Sequence, residues 1–162
     1  MLACGTMQVG VFGLGYVGAV TAGCLASRGH SVVGVDVAQG KVESLAQGRP
    51  PIIEPGLDQR LAAAVAAGRL RATTDAGEAV LATDVSLVCV GTPSTVSGSL
   101  DLGYVRQVTR EIAAAVRRKD RPHALVYRST MLPGSTRSLV EEHVEDLVGG
   151  GRLRVFYYPE FL

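Results

Sequence analysis

An α/β fold, with a parallel sheet covered on both faces by helices, is what this sequence predicts, and three observations carry the prediction. Short runs that are apolar throughout alternate with stretches whose apolar residues recur at helical spacing, from Gln8 to the end of the chain. Runs without polar alternation suit strands buried on both faces, the condition of a parallel sheet between two helical layers. The first such run ends at a glycine-rich turn that opens directly into a helical stretch. Together they specify two mononucleotide-binding halves, about six strands in the order 3-2-1-4-5-6, in a Rossmann-type doubly wound sheet.

The elements follow in order. "QVGVF" from Gln8 to Phe12 is the first strand, "GLGYVG" the turn, and "AVTAGCLASRG" a helix that stops at Gly29. "HSVVGVD" is a second buried strand and "AQGKVESLAQG" a short helix. "EPGLDQRLAAAVAAG" predicts a further helix with Pro55 near its N1 position, where the missing N–H costs nothing. "RLRATT" is the third strand, "DAGEAVLAT" a helix capped by Asp75, and "DVSLVCVGTP" a fully apolar fourth strand that contains Cys89 and is broken by Gly-Thr-Pro. Asp101 caps "LGYVRQVTREIAAAVRRK", an amphipathic helix with basic residues gathered at the end where the helix dipole favours them. "HALVYRST" is the fifth strand, "PGSTRSLVEEHVEDLVG" one helix starting at Pro133, and "RLRVFYY" a sixth, buried strand.

A chain of 162 residues is about one domain long. Residues 1–6 carry no pattern and read as a leader; residues 7–162 read as the domain. With a net charge of +1, no field argues for nucleic acid or an anionic membrane, which leaves a small molecule or another subunit as partner. Three cysteines without Cys-x-x-Cys spacing argue against a disulfide framework or a zinc site and fit a reducing cytoplasm. Cys24 and Cys89 read as core filler, and His30, His123 and His143 have no metal spacing, so no metal ligand is assigned. No apolar run reaches the length of a spanning helix, and the N-terminus lacks the pattern of a signal peptide.

Chemistry concentrates at the turn "GLGYVG". Gly13 permits the tight turn, Gly15 lets backbone approach a pyrophosphate, and Gly18 lets helix and strand pack closely. The helix start then offers free N–H groups to the anion. Asp36 ends the second strand, where a carboxylate can accept from both ribose hydroxyls of a dinucleotide. A 2′-phosphate would meet a like charge there, and Lys41 is the only nearby cation, so the expected cofactor is NAD rather than NADP.

All strands run in one direction, so the other strand ends reach the same edge. Gly91-Thr92-Pro93 follows the fourth strand and makes Thr92 a cofactor-contact candidate. Ser129 and Thr130 follow the fifth strand, and Glu160 follows the sixth. Taken singly, Thr130 reads as a helix cap and Glu160 as a solvated acid. Taken together, a hydroxyl and a carboxylate in one crevice can position a water or move a proton.

The stretches "VFGLGYVGAVTAGCLASRGHSVVGVD", "EPGL", "CVGTPS", "LDLGYV", "RSTMLPG" and "PEFL" resemble the N-terminal domain of the UDP-glucose/GDP-mannose dehydrogenase family, from Met7 onward. Several of these look most like the GDP-mannose branch, whereas the UDP-glucose branch more often has "KSTVP" where this chain has "RSTMLP". The resemblance implies oxidation of a nucleotide sugar C6 alcohol to a carboxylate in two hydride transfers to NAD, through an adduct on a cysteine. GDP-mannose is the favoured substrate, with UDP-glucose or a UDP-N-acetylhexosamine as the alternative, and a homo-oligomer and a role in polysaccharide supply are implied for the full-length protein. Carried over motif by motif, Tyr16, Val17, Asp36, Lys41, Thr92 and Thr130 contact NAD, and Glu160 stands at the sugar end as a base or water-positioning group with Thr130.

Two departures qualify the carry-over. Family members hold the catalytic Cys, and a Lys and an Asn that stabilise oxyanion charge, beyond "PEFL", in a central helix and a C-terminal nucleotide-sugar domain; this chain ends at Leu162 and is expected to be inactive alone. Tyr158 also stands where the family usually has Asn. A reading of another class, a non-catalytic module that senses NAD, predicts the same cofactor site without the chemistry.

Overall fold

The computed structural model describes residues 5–96 and 98–160. Residues 1–4, with Cys4 and most of the expected leader, and Phe161 and Leu162 of "PEFL" lie outside the described residues. Strands β1 (Gln8–Phe12), β2 (Ser31–Val35), β3 (Leu70–Thr73), β4 (Val85–Val88), β5 (His123–Tyr127) and β6 (Leu153–Tyr157) form one sheet in the order β3-β2-β1-β4-β5-β6. Each pairing within it is parallel. The expected doubly wound order is therefore observed, and its direction reverses between β1 and β4.

Helices α1 (Tyr16–Ser27), α2 (Gln39–Ala46), α3 (Leu57–Ala66), α4 (Ala76–Ala82), α5 (Gly103–Val116), α6 (Ser135–His143) and α7 (Glu145–Gly149) cover the sheet. Alternation along the strands divides the core in two. Val9, Val11 and Val32 join α1 and α3 on one face, while Phe12, Val33 and Val35 join α4 and α5 on the other. Both faces of the central strands are thus dry, which is why they read as unbroken apolar runs.

Several expected boundaries move. Pro55 is not at N1: Gly56 is the N-cap in a left-handed conformation (φ 75°), and α3 begins at Leu57. The expected helix from Pro133 starts instead at Ser135, after left-handed Gly134, and breaks at Val144, whose φ of −139° and ψ of 9° lie outside the helical region and divide α6 from α7. Val144 is fully buried, so packing of its side chain overrides helical continuity. Asp75 caps α4 as expected, accepting from Glu78 N–H at 2.9 Å. Asp101 stands one residue before the N-cap Leu102, and its carboxylate accepts from Gly103 N–H at 2.8 Å.

Cys89 lies just past β4 rather than inside it, although its N–H still donates to Phe12 C=O at 2.7 Å. The expectation that β6 is buried fails: it is an edge strand, and Phe156, Tyr157 and Tyr158 are exposed.

Of the basic residues gathered at the end of α5, Arg117 and Arg118 are exposed, whereas Lys119 turns inward. Lys119 is buried, and its ammonium donates to Val80 C=O (3.0 Å), Thr83 C=O and His123 Nδ1 (2.9 Å). Burial lowers its pKa to about 8, so it is charged at neutral pH and places a cation at the carboxyl end of α4. With Nδ1 accepting, the ring proton is assigned to Nε2, which donates to Ser86 Oγ at 2.8 Å.

Burial, reinforced by the adjacent Lys119 charge, lowers the His123 pKa from 6.5 to about 4. Between these values the unfolded chain binds the proton and the folded one does not, so stability rises with pH. Acidification from pH 7 towards 4 is therefore expected to remove up to about 3 kcal/mol through this ring. Urea unfolding of the wild type and His123→Gln across that range checks it: the variant should lose most of the slope between pH 6.5 and 4.

Candidate cofactor and catalytic crevice

The site is built at the carboxyl ends of β1, β2, β4, β5 and β6. Phe12 passes into Gly13 at φ 95°, a conformation that glycine adopts without strain, and Gly13 N–H donates to Val35 C=O at 2.8 Å. The chain then turns through Leu14, whose side chain is fully buried, into α1. Gly15 is the N-cap and carries no capping side chain, so the first N–H groups of α1 are left for an outside acceptor. A Cβ at Gly15 would meet nothing within 4 Å, which leaves open space over that helix start. A Cβ at Gly18 would overlap the Gly13 carbonyl, 2.9 Å from its carbon and closer still to its oxygen. Gly13 thus makes the turn, Gly15 faces open space and Gly18 packs against the turn.

Asp36 follows β2 and spans the turn. Its Oδ2 accepts from Leu14 N–H at 2.7 Å and pairs with Lys41 Nζ at 3.3 Å, and its Oδ1 accepts from Ala38 N–H at 2.9 Å. The carboxylate is already oriented before any ligand arrives. Beside it opens a cavity of about 490 Å³ whose lining runs from Gly13, Val35 and Asp36 to Ala76 and Gly77 of α4 and to Tyr104 and Val108 of α5. Its walls are mainly apolar, and half-exposed Tyr104 and nearly free Val37 (81% exposed) stand at its rim.

The remaining candidates gather beside this cavity. Val90 lines the cavity, and its carbonyl accepts from Ser129 Oγ at 2.6 Å, joining the ends of β4 and β5. Thr92 Oγ1 donates to Thr130 C=O at 2.9 Å, and Thr130 Oγ1 donates to Glu160 C=O at 3.1 Å. Thr130 is therefore not a helix cap, because Gly134 holds that position for α6. Parallel pairing continues past β5 and β6, with Tyr158 N–H on Tyr127 C=O (2.9 Å) and Glu160 N–H on Arg128 C=O (3.2 Å), which holds Glu160 beside the end of β5. The structure joins Thr92, Thr130 and Glu160 in one network and Gly13 and Asp36 in the cavity wall. Tyr16, Val17 and Lys41 line no part of that cavity; Tyr16 and Val17 open α1, and Lys41 reaches the site through Asp36.

Arg128 is the residue that sequence reasoning missed. Its guanidinium pairs with Glu160 Oε2 and lies over the Tyr158 ring, 5.3 Å from the centroid. Tyr158 thus supports the arginine that holds Glu160. Tyr157 Oη is fixed between Met131 N–H and C=O, each at 3.1 Å, and so pins the "RSTMLP" segment. Only the placement of all three on adjoining strand ends could have signalled this.

Burial pushes the Cys89 thiol up to about 12, which disfavours nucleophilic work, and Cys24 sits on α1 in the cleft against α3, outside the lining of the cavity beside Asp36. Among the described residues no group of three His, Cys, Asp or Glu side chains could hold a metal ion, and no helix is long and apolar enough to cross a membrane.

A parallel sheet with its order reversed beside a glycine-rich helix start, an aligned strand-end carboxylate and an adjoining apolar cavity defines a dinucleotide-binding domain. Residues 7–162 match the family described as the UDP-glucose/GDP-mannose dehydrogenase family, NAD binding domain, and the chain belongs to it. It is 50% identical, over 96% of its length, to the GDP-mannose 6-dehydrogenase of Azotobacter vinelandii. The crystal structure of a ternary complex of GDP-mannose dehydrogenase from Pseudomonas aeruginosa superposes with a TM-score of 0.91 at 51% identity, covering 96% of this chain and 36% of that one. A UDP-glucose dehydrogenase from Pyrobaculum islandicum also gives a TM-score of 0.91, at 44% identity over 100% of this chain and 38% of that one. The chain spans 36% of the length of the Azotobacter relative.

Proposed function

We propose that this chain is the cofactor-binding part of an NAD-dependent nucleotide-sugar 6-dehydrogenase, with GDP-mannose as its sugar nucleotide. The observation that carries the reading is the pairing of an uncapped α1 start with the aligned Asp36 carboxylate beside a mainly apolar cavity. These residues fit NAD. N–H groups of residues 15–17 would take the pyrophosphate, Asp36 the adenosine ribose, and the cavity the adenine. Bound NAD⁺ would supply the acceptor for hydride leaving the sugar C6.

Around the reacting end, this chain's residues hold and move protons. Thr92 and Thr130 tie the ends of β4 and β5, and Arg128 holds Glu160 Oε2, leaving Oε1 to accept a proton from the alcohol or to orient a water. The oxidation to the carboxylate needs a nucleophile that the described cysteines do not supply, so the 162-residue chain alone is expected to turn over no nucleotide sugar. GDP-mannose is preferred over UDP-glucose because identity to the Azotobacter GDP-mannose enzyme is 50%, against 40% to the UDP-glucose 6-dehydrogenase of Haloferax volcanii and 44% to the Pyrobaculum enzyme.

The test is to read the gene past the codon for Leu162 and assay its whole product with each sugar nucleotide. About two NADH per GDP-mannose, with slower turnover of UDP-glucose, is the expected result. NADH from UDP-glucose alone would reassign the substrate, and a stop codon at that point would favour the NAD-sensing module.

A further inference from the structure

The turn before α3 has no part in the site described above, yet its residues are built to reach that site. Glu54, Pro55, Gly56 and Leu57 form a type II β-turn: Leu57 N–H donates to Glu54 C=O at 3.2 Å, Pro55 sits at the second position, and Gly56 takes φ 75° and ψ 0° at the third. Each residue of "EPGL" is explained by that geometry except the glutamate, which a turn does not require. Leu57, 2% exposed, anchors the turn in the core. Close approach of α3 to α1 depends on Gly23, where a Cβ would stand 2.8 Å from Leu57 Cδ1 and 3.2 Å from Leu61 Cδ2. The turn is therefore held against α1 by packing, and Glu54 projects from a fixed backbone.

Its carboxylate Oε2 accepts from Tyr16 Oη at 2.8 Å. Tyr16 is the first residue of α1, beside the uncapped helix start and the open space at Gly15. Tyr16 is 44% exposed, so packing alone does not hold its side chain.

We propose that Glu54 is a positioning residue for the cofactor site: the "EPGL" turn is a preformed arm whose carboxylate holds the Tyr16 ring beside the dinucleotide's pyrophosphate before ligand arrives. This rests on the reading that the glycine-rich turn binds NAD. The gain is preorganisation, because a side chain already ordered loses no rotamer freedom on binding. Glu54 also places a negative charge near an anion, which opposes binding; the proposal requires the ordering to outweigh it.

The experiment titrates NADH into the 162-residue chain and into Glu54→Ala, Glu54→Gln, Tyr16→Phe and the Glu54→Ala/Tyr16→Phe double variant. Glu54→Ala and Tyr16→Phe should each raise Kd about three- to tenfold. The double variant should be no weaker than the weaker single one, since both remove one interaction. Glu54→Gln keeps an acceptor for the phenol and sheds the opposing charge, so it should bind NADH no more than about twofold more weakly than wild type. Carbon-13 tyrosine spectra should show the Tyr16 phenol, whose pKa the Glu54 hydrogen bond raises, titrating lower in Glu54→Ala.

Unchanged or tighter NADH binding by Glu54→Ala would overturn the proposal, as would additive losses in the double variant or a Glu54→Gln as weak as Glu54→Ala. Failure of the wild type to bind NADH would instead overturn the cofactor reading on which it rests.

Discussion

Replacing Gly18 by alanine is expected to destabilise the chain by about 3 kcal/mol and to abolish measurable NADH binding. Intrinsic propensity points the other way, since alanine in a helix is favoured over glycine by about 1 kcal/mol. Sterics decide the sign. The added methyl would overlap the Gly13 carbonyl, a backbone group that cannot swing aside as a side chain can, with the Cys89 Cβ at 3.5 Å behind it. Relief requires α1 to lift from the turn, which displaces the N–H groups meant for the pyrophosphate. Gly15→Ala is the control. Its methyl meets nothing within 4 Å, and its φ of −77° suits alanine, so stability should stay within about 0.5 kcal/mol of wild type while NADH binding weakens. Urea unfolding with NADH titration measures both, and a Gly18→Ala protein of wild-type stability would contradict the assignment of the turn.

Asp36→Asn is expected to weaken NADH about 10- to 100-fold and to remove most of the discrimination against NADPH. Hydrogen bonds to a charged acceptor are worth about 1.5–3 kcal/mol, which sets the first figure. Loss of the negative charge leaves Lys41, 3.3 Å from Oδ2 in the wild type, to face a 2′-phosphate directly. The variant is nearly isosteric, so the bonds to Leu14 and Ala38 N–H are tested separately: the amide NH₂ cannot accept, and one must be given up. A modest loss of stability is therefore expected alongside the change of preference. Retention of the wild-type preference by Asp36→Asn would show that the carboxylate does not read the ribose.

The sheet was legible because its signals are local and repeated. Val9, Val11, Val32, Val33 and Val35 need dry surroundings on both faces, and only a parallel sheet between helices provides them. Asp36 and the fingerprint glycines were legible because backbone geometry restricts which residues can stand there. What escaped depends on partners distant in sequence. Arg128 acquires its place from Tyr158 and Glu160, about 30 positions away, and no pattern near Arg128 announces them. Lys119 looks like a helix-end cation until α4 places the carbonyls of Val80 and Thr83 against it. The break at Val144 comes from burial of its side chain, whereas the local sequence favours a continuous helix. The "EPGL" start was misread by two residues because proline suits both an N1 position and the second position of a type II turn, and only the following glycine separates them.

The central claim is that this crevice takes a dinucleotide without a 2′-phosphate, read by Asp36 at the end of β2. Titration of the wild-type chain with NADH and NADPH under the same conditions tests it most directly. The account predicts saturable NADH binding at one site and NADPH weaker by about tenfold or more, since one unfavourable charge contact of a few kcal/mol is enough. Tighter binding of NADPH, or no binding of either, would contradict it.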